Sequence, residues 1–269
     1  MMATAPVEGQ PKVVAVTSAS GTVAGGTTVS VPINISGFSS THAYLLIGIA
    51  ATRNSTDPPS IGGVLWRDAA DSLTLGTPNV ISSCTADVNA WFFINLSPTV
   101  FVTVYQMPIS STTIAASGLV KVTFGQNVDA VVGATVYTGV YTVGTCGTNT
   151  TSVFGGTSLS RTSLTNPGTG GAIFTALALD GRASGPSGGT QLWSTNTGTQ
   201  QQDNLGAGFS NSPATSVSES WTNTALGAIA AVPLTGGAIS AVTSRALGAE
   251  AVEGGNVVRF ETNREVDSL

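Results

Sequence analysis

The chain is 269 residues long, 41% hydrophobic and only 9% charged, with a net charge of −5. Lys and Arg together number 9 and form no cluster, which excludes counterion-driven nucleic-acid binding and docking on an anionic membrane surface. No run of about eighteen apolar residues offers a transmembrane helix, and the Ser/Thr/Gly-rich composition, solvated by hydroxyls rather than ions, fits an exported strand-rich protein better than a cytosolic α/β enzyme.

Met1 to Pro11 reads as an N-terminal linker, and Met1-Met2-Ala3-Thr4-Ala5-Pro6 lacks the basic and apolar regions of a secretory leader. An extracellular or cell-surface location is expected, with such a leader removed. Alternation then predicts strands at 12–16 and 28–35, separated by a turn at Ser18-Ala19-Ser20-Gly21. Ala43–Ala51 (AYLLIGIAA) is nearly continuous in apolar residues and predicts a central strand buried on both faces. Further strands are expected at 61–66, 73–75, 91–94, 101–105, 120–124 and 131–137. Asp68–Ser72 holds one helical turn at most. After a Ser/Thr/Gly-rich stretch at 144–158, strands are expected at 160–164, 172–179, 190–193, 205–209, 216–221 and 225–234.

About a dozen strands with no sustained 3.6-residue period predict an all-β fold, a two-sheet antiparallel β-sandwich of jelly-roll type spanning 12–236, with no substantial helix. A pair of smaller Ig-like domains meeting near residue 155 is the competing partition. A single domain is preferred because Ala225–Leu234 would otherwise lack neighbours to close a second core. Residues 237–269 read as a small-residue linker, 238–249, followed by an isolated strand, and as the truncated start of a following β domain or a pairing strand. That strand carries Val257, Val258 and Phe260.

Cys84 and Cys146 are the only cysteines and sit in no metal-binding spacing, so a disulfide is expected, closing a loop of about sixty residues at roughly 4 kcal/mol. Two buried thiols in a reducing compartment are the alternative.

The runs AYLLIGIAA, WFFINLSP at 91–98, VVGATVYTGV at 131–140 and SVSESWTN with ALGAIAAVPL near the end of the sandwich resemble a jelly-roll-like domain recurrent in bacterial multidomain secreted and surface proteins. The likeness covers roughly residues 28–234. Phe260–Leu269 is similar to the opening of a fibronectin-III-like module. The resemblance implies a modular, surface-exposed parent, and it brings no catalytic residues.

Chemistry is sparse. His42 is the only histidine, which removes multi-histidine zinc sites. Gly185-Pro186-Ser187-Gly188-Gly189 matches G-x-S-x-G, but the strand-turn-helix setting of a nucleophile elbow is not expected around Ser187, and a flexible surface loop is the preferred reading. Glu219 is the only Glu between Glu8 and Glu250, so the carboxylate pair of a glycosidase lacks its second member unless Asp180 or Asp203 supplies it. Asp57, Asp68, Asp71 and Asp87 are the candidates for a structural calcium site, against ordinary turn carboxylates; no other cofactor is expected. Trp66 and Trp193, both next to loops, are the candidates for sugar stacking, whereas Trp91 and Trp221 are assigned to the core.

The expectation is therefore a non-enzymatic structural or adhesive module of a cell-surface or secreted protein. Its partners would be other copies, reached through an edge or terminal strand, or neighbouring domains. A carbohydrate-binding module using exposed tryptophans and a filament subunit with a donated strand are the alternatives.

Overall fold

The computed structural model describes residues 12–35, 42–89, 98–109, 117–146, 152–237, 245–252 and 255–261. Among them every regular element is a strand and every pairing is antiparallel. The first sheet contains β1 (Val14–Asn34), β2 (Ala43–Asn54), β3 (Ile61–Asp68), β4 (Thr74–Gly76), β5 (Asn79–Asn89), β6 (Pro98–Ile109) and β7 (Ser117–Thr138), in the order β4-β3-β7-β2-β6-β5 with β1 also paired to β7. The second contains β8 (Val140–Val143), β9 (Ser152–Arg161), β10 (Ala172–Asp180), β11 (Ser184–Ser187), β12 (Thr190–Asn196), β13 (Asn204–Asn211) and β14 (Val217–Gly236). Its order is β11-β14-β10-β13-β12, with β8 and β9 also on β14. The two sheets pack face to face, and a separate two-stranded sheet joins β15 (Arg245–Val252) to β16 (Gly255–Glu261).

The all-β sandwich expected from alternation is what forms. β2 is buried on both faces between β6 and β7, as its unbroken apolar run requires. Three expected boundaries are corrected. Ser18–Gly21 is not a turn: β1 runs through it, and the irregularity falls at Val23–Thr28, where Gly25 has φ +63. The segments 120–124 and 131–137 are one bent strand, β7, and 216–221 and 225–234 are one bent strand, β14. Turn-forming residues here make bulges instead of reversals, because both sides of the interruption keep a paired partner. Asp129 Oδ1 accepts from Gly25 N (3.0 Å) at the first bend, and Asp180 Oδ2 accepts from Leu226 N (2.8 Å) at the second. β5, β8 and β11 were not anticipated, Asp68–Ser72 is a turn without helix, and the strand expected at 91–94 lies outside the described residues.

Each bend lets a sheet fold over itself. The early half of β7, with its partners in β1 and β3, covers the outer face of β2 and the late half of β7, enclosing Val31, Ile47, Trp66, Val122 and Val132 in one cluster. In the second sheet the early half of β14 with β9 does the same, enclosing Leu177, Phe209, Trp221 and Ile229. Between the sheets lies a third cluster that takes residues from both, including Leu46, Val102, Tyr137, Phe174, Trp193 and Val232.

The two sheets repeat one topology. The long strand β7 is flanked by β2, β3 and β1, and β14 is flanked by β10, β11 and the pair β8 and β9. β6 and β5 continue outward from β2 as β13 and β12 do from β10. The registers agree: Leu46 stands opposite Gln106, which stands opposite Asn79, and Phe174 stands opposite Ser210, which stands opposite Thr190. Contacts between the sheets are reciprocal, β2 touching β13 as β10 touches β6, and β1 touching β12 as β9 touches β5, with β2 against β10 at the centre. Reciprocity of this kind is what a two-fold axis generates. Ala225–Leu234, expected to want for neighbours in a second core, is flanked by β9 and β10.

Candidate functional site

Both tryptophans expected to stack on a sugar are interior. Trp66 is 1% exposed and packs over Gly118, while Trp193 is 5% exposed at the seam between the sheets. A Cβ added at Gly133 or Gly208 would fall inside the Trp193 indole, and one at Gly48 would press on its edge at 2.9 Å. Three side-chain-free positions thus make the slot for one ring, and neither Trp66 nor Trp193 offers a ring face to solvent. Trp221 is core as expected, donating Nε1–H to Gly156 O (3.0 Å). Trp91 lies outside the described residues.

The aspartates do not form a cage. Asp68 accepts from the backbone N–H of Leu73 (2.8 Å) and of Ser72, and these bonds hold its carboxyl below the usual range. Asp71 pairs with Arg67 and with Lys121 Nζ (2.7 Å), and Asp57 and Asp87 are exposed elsewhere. Among the described residues no three His, Cys, Asp or Glu side chains stand together as a metal site. Asp180 is wholly buried, bound by Arg182 Nε and Nη2 (3.0 and 2.7 Å), and serves the β14 bend.

Ser187 lies in the short strand β11, not in a flexible loop, and its hydroxyl faces Ser220 Oγ (2.9 Å). His42 is stacked on Tyr141. Glu219 is wholly buried, with Oε1 accepting from Asn211 Nδ2 (3.0 Å), which also donates to Thr175 Oγ1 (2.7 Å). Burial pushes its carboxyl up to about 7, against the lowering effect of Asn211 and Thr175. Oε2 lies where a Cβ of residue 188 would be, which explains a glycine at that point of the G-x-S-x-G segment. By register and inward alternation, the first sheet places Ile47, Met107 and Val122 where the second places Thr175, Asn211 and Glu219.

Val257, Val258 and Phe260, expected on an isolated strand, stand opposite Glu250, Ala249 and Ala246 in a hairpin. The stretch 238–249 is therefore not all linker, and the segment has a partner in its own chain. Cys84 and Cys146 form the expected disulfide, 62 residues apart with Cα atoms 5.0 Å from one another. It points to a setting outside the reducing cytosol. Among the described residues no helix is long and apolar enough to cross a membrane.

Two open grooves lie at the rim of the seam, and the internal symmetry relates them. The first, of about 340 Å³, has one wall from the first sheet (Tyr44, Asn79, Gln106 and Pro108) and the other from β8 (Tyr141 and Thr142). The second, of about 430 Å³, has Ala172, Thr190, Ser210 and Ser212 on one wall and Lys12 to Ala15 of the β1 end on the other. Tyr44 and Ala172 correspond, as do Asn79 and Thr190, Gln106 and Ser210, and Pro108 and Ser212. The first groove is aromatic and uncharged, and the second is hydroxyl-lined with one cation.

The groove walls are tied differently. The disulfide joins β5, which carries Asn79, to the residue three beyond β8, which carries Tyr141. At the second groove β1 and β12 are joined by hydrogen bonds, Ser18 Oγ to Leu192 O (2.8 Å) and Ser20 Oγ to Thr195 Oγ1 (3.1 Å). The disulfide was expected from the sequence, whereas the grooves and the repeat that relates them were not. The repeated ending of β7 and β14, VVGATVYTG and AIAAVPLTG, was the available signal.

No family model matches this chain, and no curated protein or solved structure matches it either.

Proposed function

We propose that the chain is a non-enzymatic display module of a cell-surface or secreted protein, adhesive through its outer face, of the kind found in bacterial multidomain surface proteins. The observation that carries this reading is the position of the sandwich's two ends. Val14 stands opposite Thr138 and Gly236 opposite Val140. Two ladder steps and two residues of chain separate entry from exit, a span of about 18 Å or less. A module whose ends lie side by side projects from its parent, whereas an in-line spacer keeps its ends apart. Pulling on the two ends would peel β1 from β7 one bond at a time, a poor geometry for bearing tension. The covalent tie between β5 and the segment after β8 and the hydroxyl-rich surface suit exposure outside the cell.

Display of the chain on a non-adherent host cell tests this directly. The cells are expected to be retained on mucin-coated glass or on epithelial monolayers, and soluble module should compete the retention away. Retention equal to that of cells without the module would overturn the reading.

A further inference from the structure

We propose that residues 184–189 form a proton-controlled strap, which seals Glu219 inside the second sheet while that carboxyl is protonated and lifts from β14 when the proton leaves. Glu219 is wholly buried, with Oε1 accepting from Asn211 Nδ2 and Oε2 left without a hydrogen-bond partner. Two consecutive glycines of the strap lie directly on this pair of side chains. A Cβ at Gly188 would fall on Glu219 Oε2, and one at Gly189 would fall on Asn211 Oδ1. No cation is bound to the carboxyl. Of the strands around it, β11 and β13 carry no charged residue, and β14 carries none besides Glu219 itself. β9 brings Arg161, opposite Val217 and so one inward position along from Glu219, but no ion pair joins the two. β10 brings Asp180 at its far end, paired with Arg182.

Ionised in place, Glu219 would be a buried charge with no counter-ion, and admitting water is the relief that costs least. The weakest part of its cover is the strap. β11 meets β14 only at Ser184 opposite Thr222 and Ser187 opposite Ser220, with a register shift between them and Gly185 at φ +57. Both anchors are firm: Arg182 is held by Asp180, its carbonyl accepts from Asn223 Nδ2 (3.3 Å), and Thr190 opens β12 opposite Ser210. The segment between them can therefore lift while the sandwich stays folded. Burial pushes the closed carboxyl up to about 7, and an open strap returns it towards 4.5. Opening is thus insensitive to pH below 4.5, grows as pH rises towards about 7, and levels off above it. Lifting frees the β14 edge at Ser220 and Thr222, so the strap governs whether that edge is open to a further strand.

Hydrogen–deuterium exchange of the whole chain at pH 5 and pH 8, corrected for the intrinsic pH dependence of amide exchange, tests the strap. Protection across 184–189 and at Ser220 and Thr222 should fall roughly ten-fold or more between the two, while that of β2 holds. Glu219→Gln should keep the strap protected at pH 8. Gly188→Ala, whose methyl meets Oε2, should leave it poorly protected at both values. Strap protection that ignores pH, a fall shared equally by β2, or the same fall in Glu219→Gln would each overturn the proposal. A Gly188→Ala strap as protected as the parent's at pH 5 would do so too.

Discussion

Glu219 shows how one residue can break a repeated pattern. It occupies an inward position of β14 whose counterpart in β7 is Val122, and its carboxyl is pushed up to about 7 by burial. The folded state therefore favours the protonated form. The stability associated with this group is fully present below the ordinary carboxyl value of 4.5 and declines as pH rises towards about 7. Glu219→Gln should remove that slope and make the protein more stable than the parent at pH 8, by on the order of 1–3 kcal/mol. Urea denaturation at pH 4.5 and pH 8 reads both quantities, and a variant less stable than the parent at pH 8 would contradict the account. The burial of Glu219 was legible only as far as its strand alternation with Trp221. Its partners Asn211 and Thr175 come from strands that no local pattern connects to it. The same limit hid the burial of Trp66 and Trp193: a loop nearby in sequence says nothing about a sheet that folds over the ring.

At the scale of the element, strands were easier to locate than to delimit. The apolar run of β2 and the alternation in β3, β6, β10 and β13 are local properties, and they stand where the sequence places them. The long strands β1, β7 and β14 were each divided or interrupted in the sequence reading, because a Gly or Asn that makes a bulge looks the same locally as one that makes a turn. Only pairing on both sides of the interruption distinguishes them. β12 bears on packing through Trp193, which sits in the slot formed by Gly48, Gly133 and Gly208. Gly133→Ala should overfill this slot and cost about 2 kcal/mol or more, since the indole meets backbone on each side. Gly63→Ala, where the added methyl meets nothing within 4 Å, should stay within about 0.5 kcal/mol of the parent. Thermal melts of the two variants check the contrast, and equal melting temperatures would contradict the proposed slot.

Across the whole molecule, two sheets of one topology face each other about an approximate two-fold axis, and the seam between them carries both grooves. A buried bond from Asn204 Nδ2 to Thr52 Oγ1 (2.8 Å) crosses that seam beside a core of aliphatic and aromatic side chains. The repetition escaped the sequence reading because the halves share residue character more than identity: Leu46, Gly48 and Ala50 of β2 answer to Phe174, Ala176 and Ala178 of β10. It also escaped because β1 corresponds to two separate strands, β8 and β9, so no fixed sequence spacing runs through both halves. The most direct test of the molecule so described is the distance between its ends. Spin labels at Val14→Cys and Gly236→Cys, with the native disulfide intact, should give one narrow distribution consistent with Cα atoms about 18 Å apart or closer. A broad distribution, or one centred beyond roughly twice that distance, would mean that entry and exit do not share one end of the sandwich, and the display geometry would fall with it.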